Sequence, residues 1–140
     1  MEYEQMLLGR HLHLHKRKGR RKDSLLDRSA YILLSRIRVE GPLSIGRLCD
    51  AFDLDASTLN RQTAAAVRAG LLEHIPDPEG GMARKFRITA EGERLLDAER
   101  RGIVASLDRI MAGWDDADIA AFAHCLQRFS ADLERLDGRP

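Results

Sequence analysis

Residues 43–72 read LSIGRLCDAFDLDASTLNRQTAAAVRAGLL, and two strand-like runs follow on either side of Pro76-Asp77-Pro78-Glu79-Gly80-Gly81. This stretch decides the fold. Ser44 is a residue type that caps helix N-termini, and Ile45, Leu48, Cys49 and Phe52 recur behind it at helical spacing, so a short helix with one apolar face is expected. Asp53-Leu54-Asp55 turns the chain. Ser57 and Thr58 are expected to open a second helix, and Gly70 suits its C-terminal end. Leu59, Thr63, Ala66 and Val67 share one face of that helix and should pack inward.

The opposite face carries Ser57, Arg61 and Arg68, with Thr58, Asn60 and Gln62 on its flanks. Two short helices joined by a tight turn can lay the second in a DNA major groove, its N-terminal residues against base edges. Arg bonds guanine through two hydrogen bonds, and Asn or Gln does the same to adenine. A solvated helix face would use similar residues, but these follow the turn directly and back onto a small-residue packing face. Double-stranded DNA is therefore the expected partner, read by these six residues.

Leu71-Leu72-Glu73-His74-Ile75 and Lys85-Phe86-Arg87-Ile88 resemble two antiparallel strands, the second alternating apolar and basic positions. Pro76, Pro78, Gly80 and Gly81 break the run between them and make a loop tip. A basic hairpin beside a recognition helix can reach phosphates or a flanking minor groove, a contact assigned to Arg84 and Lys85.

Gly70-Leu71-Leu72-Glu73, Pro76-Asp77-Pro78-Glu79 and Ile88-Thr89-Ala90-Glu91-Gly92 together resemble the multiple-antibiotic-resistance regulator (MarR) family. That family carries a Gly-Leu before its wing, an Asp-Pro entering it and a Leu-Thr-x-x-Gly leaving it. The likeness is close from Pro42 to Leu96 and looser in the flanking helices. It implies a mainly α winged helix-turn-helix fold with a small β-hairpin wing, in which the first and last helices build a homodimer. Residues 1–140 then form a single domain, with a DNA-binding lobe over 24–92 and dimerisation helices over 1–22 and 93–137. A repressor bound to a palindromic operator is the implied function. A small anionic or phenolic effector would bind between the dimer helices and the lobe and loosen DNA binding. The chain departs from the family at the wing tip. Gly80 and Met82 stand where an Asp-x-Arg is usual, so the wing is expected to bind less specifically or to use Arg84 instead.

The flanking segments support a dimer on their own periodicity. Ile119, Phe122, Leu126, Phe129, Leu133 and Leu136 alternate at three and four residues, with Asp115 placed as N-cap and Asp118 in the first turn. Leu96, Ile103, Leu107, Ile110 and Trp114 make a second stripe. Tyr3, Leu7 and Leu14 give the first helix a weaker one. So small a reading core has little apolar surface to cover all three, and a partner subunit is the natural home for Leu7, Leu14, Ile119, Phe122, Leu126, Phe129 and Leu133.

Composition agrees with one globular domain: 140 residues, 44% hydrophobic and 32% charged, with a net charge of +1. Charge is nonetheless uneven. Arg10, Lys16, Arg17, Lys18, Arg20, Arg21 and Lys22 cluster at the junction of the first two helices, before Asp23 or Ser24 could cap the second, where phosphate contact and plain solvation weigh equally. No stretch is apolar enough to span a membrane and the N-terminus lacks the form of a signal peptide, so a cytoplasmic protein is expected. Cys49 and Cys125 fall inside helical patterns and suggest no disulfide framework.

His11 and His15 would share a helix face at i,i+4 spacing, but His13 points away and no third ligand is evident, so no metal site is expected. No cofactor is expected either. The chain lacks a phosphate-cradling Gly loop, a metal-ligand motif and a nucleophile–base constellation, which argues against an enzyme. The competing function is a winged-helix protein-interaction module without DNA binding. Arg61 and Arg68 argue against it.

Overall fold

The computed structural model describes residues 1–11 and 26–138. Its elements run α1 (Glu2–His11), α2 (Arg28–Glu40), α3 (Ile45–Phe52), α4 (Ala56–Arg68), β1 (Leu72–Ile75), β2 (Lys85–Ile88), α5 (Ala90–Ile110) and α6 (Asp116–Leu136). This is a winged helix-turn-helix. Leu14, His13, His15, Asp23, Ser24 and the basic residues from Lys16 to Lys22 lie outside the described residues.

Local chemistry sets the helix boundaries. Asp27, not Asp23 or Ser24, caps α2, its carboxylate accepting from the Ala30 N–H at 2.7 Å. Ser44 caps α3 as its sequence context suggests. The cap of α4 is a residue the sequence reading placed in the turn. Asp53 is the left-handed C-cap of α3 (φ 52°, ψ 47°), so Asp55 is the residue placed to cap α4, and its carboxylate accepts from the Thr58 N–H at 2.7 Å. Ser57 and Thr58 lie in the first turn of α4, one residue after its start at Ala56. At the other end Gly70 has φ +77°, a conformation that is costly for any residue with a Cβ. The Gly70 N–H donates to Val67 and the Leu71 N–H to Ala66, which closes the helix in a Schellman motif and turns the chain into β1.

The core sits where α2, α3, α4, the hairpin and the start of α5 meet. Leu33, Leu34, Ile37, Leu48, Leu59, Leu72 and Leu96 are fully buried there, with Ala66, Leu71, Phe86 and Leu95 around them. Val67, Ile45, Cys49 and Phe52 pack against this cluster from its edge. Thr63 is the buried polar residue of α4, and its hydroxyl is satisfied by the Leu59 carbonyl at 2.7 Å. β1 and β2 pair antiparallel with Leu72 opposite Ile88 and Ile75 opposite Lys85. A third strand of one residue joins them, since Leu43 exchanges both backbone hydrogen bonds with Phe86. The segment between α2 and α3 is thereby tied to the wing.

α5 starts inside the core and leaves it. Leu95 and Leu96 are buried, Ile103 and Leu107 are half-buried, and Ile110 and Trp114 are exposed. α6 has no buried residue along its 21 residues, and α1 has none along its 10. Asp115 caps α6 through the Asp118 N–H at 2.8 Å, and Trp114 meets Phe122 edge to face at 5.6 Å. Among the described residues, no helix is long and apolar enough to cross a membrane.

Candidate nucleic-acid interface

α4 is held by one face and open on the other. Leu59, Thr63 and Ala66 anchor it to the core, while Ser57, Asn60, Arg61 and Arg68 are exposed and Thr58 and Gln62 half-exposed on its flanks. The wheel drawn from sequence is thus the one the fold adopts. The N-terminal cap redistributes the polar chemistry. Asp55 has its carboxyl lowered from the ordinary range by the Thr58 hydroxyl, then by the Thr58 N–H and the Ser57 hydroxyl, with Arg61 adding a charge contribution. The Ser57 hydroxyl donates to Asp55 at 3.1 Å. A hydroxyl that gives its proton to the cap can only accept elsewhere, and phosphate oxygens need donors. The donor work on this face then falls to Asn60 and Arg61 near the start of the helix and to Arg68 near its end.

The wing is organised by Asp77. Its carboxylate accepts from the Glu79 N–H at 2.9 Å and pairs with the Lys85 ammonium at 3.3 Å. The Gly81 N–H joins these two, and together they hold the Asp77 carboxyl below the usual range, the Glu79 bond contributing most. Gly80 closes the turn by donating to the Asp77 carbonyl at 2.9 Å with φ +83°. Lys85, expected to reach DNA, is therefore engaged inside the hairpin, whereas Arg84 is exposed beside it. Arg87 is held across the strands by Glu73 at 2.5 and 2.8 Å.

Thr89 joins α4 to α5. It caps α5 by accepting from the Gly92 N–H at 3.0 Å and gives its own hydroxyl proton to the Gly70 carbonyl at 2.6 Å. Its N–H donates to the Leu71 carbonyl at 3.0 Å. Gly92 crosses so close beneath this joint that a Cβ there would lie 2.3 Å from the Leu71 carbonyl oxygen. Arg38 of α2 adds a second tie, reaching Asp97 at 2.5 Å and Glu93 at 3.3 Å on α5. Sequence spacing shows the Gly70-Leu71 and Thr89-x-x-Gly92 pattern but neither tie, because both join segments far apart in the chain.

No family model matches the chain. A curated relative does: an uncharacterised helix-turn-helix transcriptional regulator, YxaD of Bacillus subtilis, is 33% identical over 105 residues, which cover 75% of this chain and 73% of YxaD. The chain belongs to the MarR family of helix-turn-helix regulators. Solved structures of MarR-family proteins share its fold. One from Bacillus stearothermophilus superposes with a TM-score of 0.74 at 19% identity, over 94% of this chain and 93% of that one. BpsR of Bordetella bronchiseptica, whose DNA binding is regulated by 6-hydroxynicotinic acid, superposes with a TM-score of 0.66 at 19% identity, over 93% and 99%. Within the MarR frame, the Gly70–Thr89–Gly92 joint explains physically why the motif residues around the wing are what they are. A left-handed turn, a capping hydroxyl and a missing side chain are each required by the crossing.

Proposed function

We propose that the protein is a homodimeric, sequence-specific DNA-binding repressor that reads a palindromic operator with one α4 per half-site. The observation that carries this reading is the two-sidedness of α4. One face is locked into the core by Leu59, Thr63 and Ala66, and the other offers Asn60, Arg61 and Arg68 to a partner. A rigidly mounted helix with guanidinium and amide donors matches the donor and acceptor pattern of major-groove base edges. Arg84 on the wing supplies a contact to phosphates.

The exposed face of α6 supports the dimer. A 21-residue helix is about 30 Å long, and isolated helices of that size owe their stability to a packed apolar face. Phe122, Leu126, Phe129 and Leu133 are each between 41% and 53% exposed within one chain. A second copy, with Leu7 of α1 and Ile119 completing the seam, buries that stripe. Two lobes mounted on one symmetric seam suit a two-fold symmetric site.

A small anionic aromatic effector completes the reading. An open groove of about 510 Å³ runs along α2 between Tyr31, Ile32, Ser35, Val39 and Phe52, and the paired Arg36 and Glu40 line it as well. Arg36 pairs with Glu40 and lies 3.8 Å from Glu134 of α6, so the groove borders the contact between lobe and dimer helix. An aromatic carboxylate bound there would compete for Arg36 and alter that contact. Regulation of BpsR by 6-hydroxynicotinic acid supports a ligand of this class.

Fluorescence anisotropy against a randomised duplex pool, followed by recovery and sequencing of the bound fraction, tests the central part. Enrichment of a palindromic sequence is the expected result. A pool that stays random through successive rounds would overturn the reading.

A further inference from the structure

We infer that Met82 is an apolar wedge for the minor groove, so that the wing selects easily kinked base steps flanking the half-site. This rests on the DNA-reading function proposed above. Met82 stands at the wing tip with its side chain fully in solvent, at 103% relative exposure. A single exposed apolar residue is ordinary on a protein surface. Three observations set this one apart.

The first is that the tip is built to hold it. Asp77 fastens the loop from inside through Glu79, Gly81 and Lys85, and Gly80 adds a backbone turn. Gly81, next to Met82, approaches Asp77 so closely that a Cβ would lie 2.2 Å from its carboxylate oxygen. A fastened loop loses little entropy when it engages a partner, and a side chain presented on it can act as a probe.

The second is charge. Residues 76–83 contain Asp77 and Glu79 and no Lys or Arg. The narrow minor groove of an A-tract concentrates negative potential and draws in guanidinium groups. Between Pro76 and Ala83 no cation answers that potential, the exposed Glu79 opposes it, and the guanidinium that follows, Arg84, lies two residues past Met82. An A-tract is therefore the wrong flank for this wing.

The third is the side chain's own chemistry. Methionine is among the residues that enter the minor groove as wedges between base pairs, where they partly unstack a step and kink the duplex. Unstacking costs least at TA and CA/TG steps. Arg84, exposed two residues further on, is placed to take a phosphate beside the opened step. Wedge and phosphate contact together make a tip without cationic side chains a reader of DNA flexibility.

Parallel selection from one randomised duplex pool with the full-length wild type and Met82→Arg tests this. The half-site core read by α4 reports on the underlying function, and the flanks report on Met82. The wild type is expected to enrich TA and CA/TG steps in the flanks, and Met82→Arg to enrich A-tracts around the same core. Flanks that do not differ between the two pools would overturn the inference while leaving DNA reading intact. Absence of any enriched core would overturn both. A second measurement uses 2-aminopurine at the enriched step. Wild type should raise its fluorescence on binding, and Met82→Ala should lose that rise and bind this duplex about fivefold to tenfold more weakly. An equal rise with Met82→Ala would mean that Met82 does not open the step.

Discussion

The hydroxyl of Thr89 donates to the carbonyl of Gly70 at 2.6 Å, across 19 residues that include the whole wing. One side chain thus ties the end of α4 to the start of α5, the helix that leads out of the lobe. Thr89→Val keeps the shape and removes the hydroxyl, so it loses the α5 cap and leaves the Gly70 carbonyl short of a donor. A destabilisation of about 1–2 kcal/mol is expected in urea unfolding, with Thr89→Ser retaining most of the stability. Equal stability of the Val variant and the wild type would mean that the joint contributes nothing.

Two glycines in helices should respond in opposite directions to the same change. Gly92→Ala drives a methyl group into the Leu71 carbonyl and the Ile88 side chain, neither of which can withdraw without moving the joint. The expected loss is about 1–3 kcal/mol. Gly46→Ala in α3 meets only the Ser44 hydroxyl at 4.0 Å and removes backbone entropy from the unfolded chain. It should gain about 0.5–1 kcal/mol. Thermal unfolding of both variants compares the signs directly.

Asp55 ties the stability of α4 to pH. Its carboxyl is lowered from the ordinary value, chiefly by the Thr58 hydroxyl, so the folded state binds its proton more weakly than the unfolded chain does. The contribution is complete above the unfolded carboxylate range and is lost as pH falls through the lower, folded value. Asp55→Asn keeps a capping oxygen without the charge and should flatten this acid limb. Asp55→Ala removes the capping oxygen altogether and should lower stability at neutral pH. Unfolding midpoints from pH 7 down to pH 3 would separate the three proteins, and an unchanged acid limb in Asp55→Asn would refute the assignment.

Much of this arrangement was legible because it is local. Ser44 and Asp115 cap the helices they precede, and the inward face of α4 follows from spacing alone. The sequence puts the start of α4 within a residue but not its cap, because Asp53, Asp55, Ser57 and Thr58 are all capping types within six positions. The left-handed backbone at Asp53 decides among them, because it makes Asp53 the C-cap of α3 and leaves Asp55 to accept from the Thr58 N–H. Lys85 read as a free cation because alternation gives its face of the strand and not its partner, which is Asp77 across the loop. The Leu43–Phe86 bridge and the Arg38–Asp97 pair join segments more than 40 residues apart. No periodicity carries that information. The α6 stripe was legible for the opposite reason: it repeats along one helix, and its exposure within a single chain is what the repeat implied.

Arg61 and Arg84 are expected to do separable work. Arg61→Ala should lower discrimination between operator and random DNA by about 1–3 kcal/mol per half-site, as the loss of a base-edge contact requires. Arg84→Ala should weaken binding to both alike and reduce the salt slope by about one. Anisotropy titrations at several salt concentrations measure both quantities. Wild-type discrimination in Arg61→Ala would place base reading elsewhere on α4.

Sedimentation equilibrium of the protein alone and with a selected operator duplex tests the central claim that a symmetric dimer mounted on α6 reads DNA. The wild type should sediment as a dimer and bind with two protomers per duplex. Leu126→Asp places an unpaired carboxylate in the apolar seam, where its cost far exceeds that of a lost contact. This variant should sediment as a monomer or fail to fold, with operator affinity collapsing. A wild type that binds as one protomer per duplex, or a Leu126→Asp variant that stays folded, dimeric and fully active at low micromolar concentration, would contradict the account.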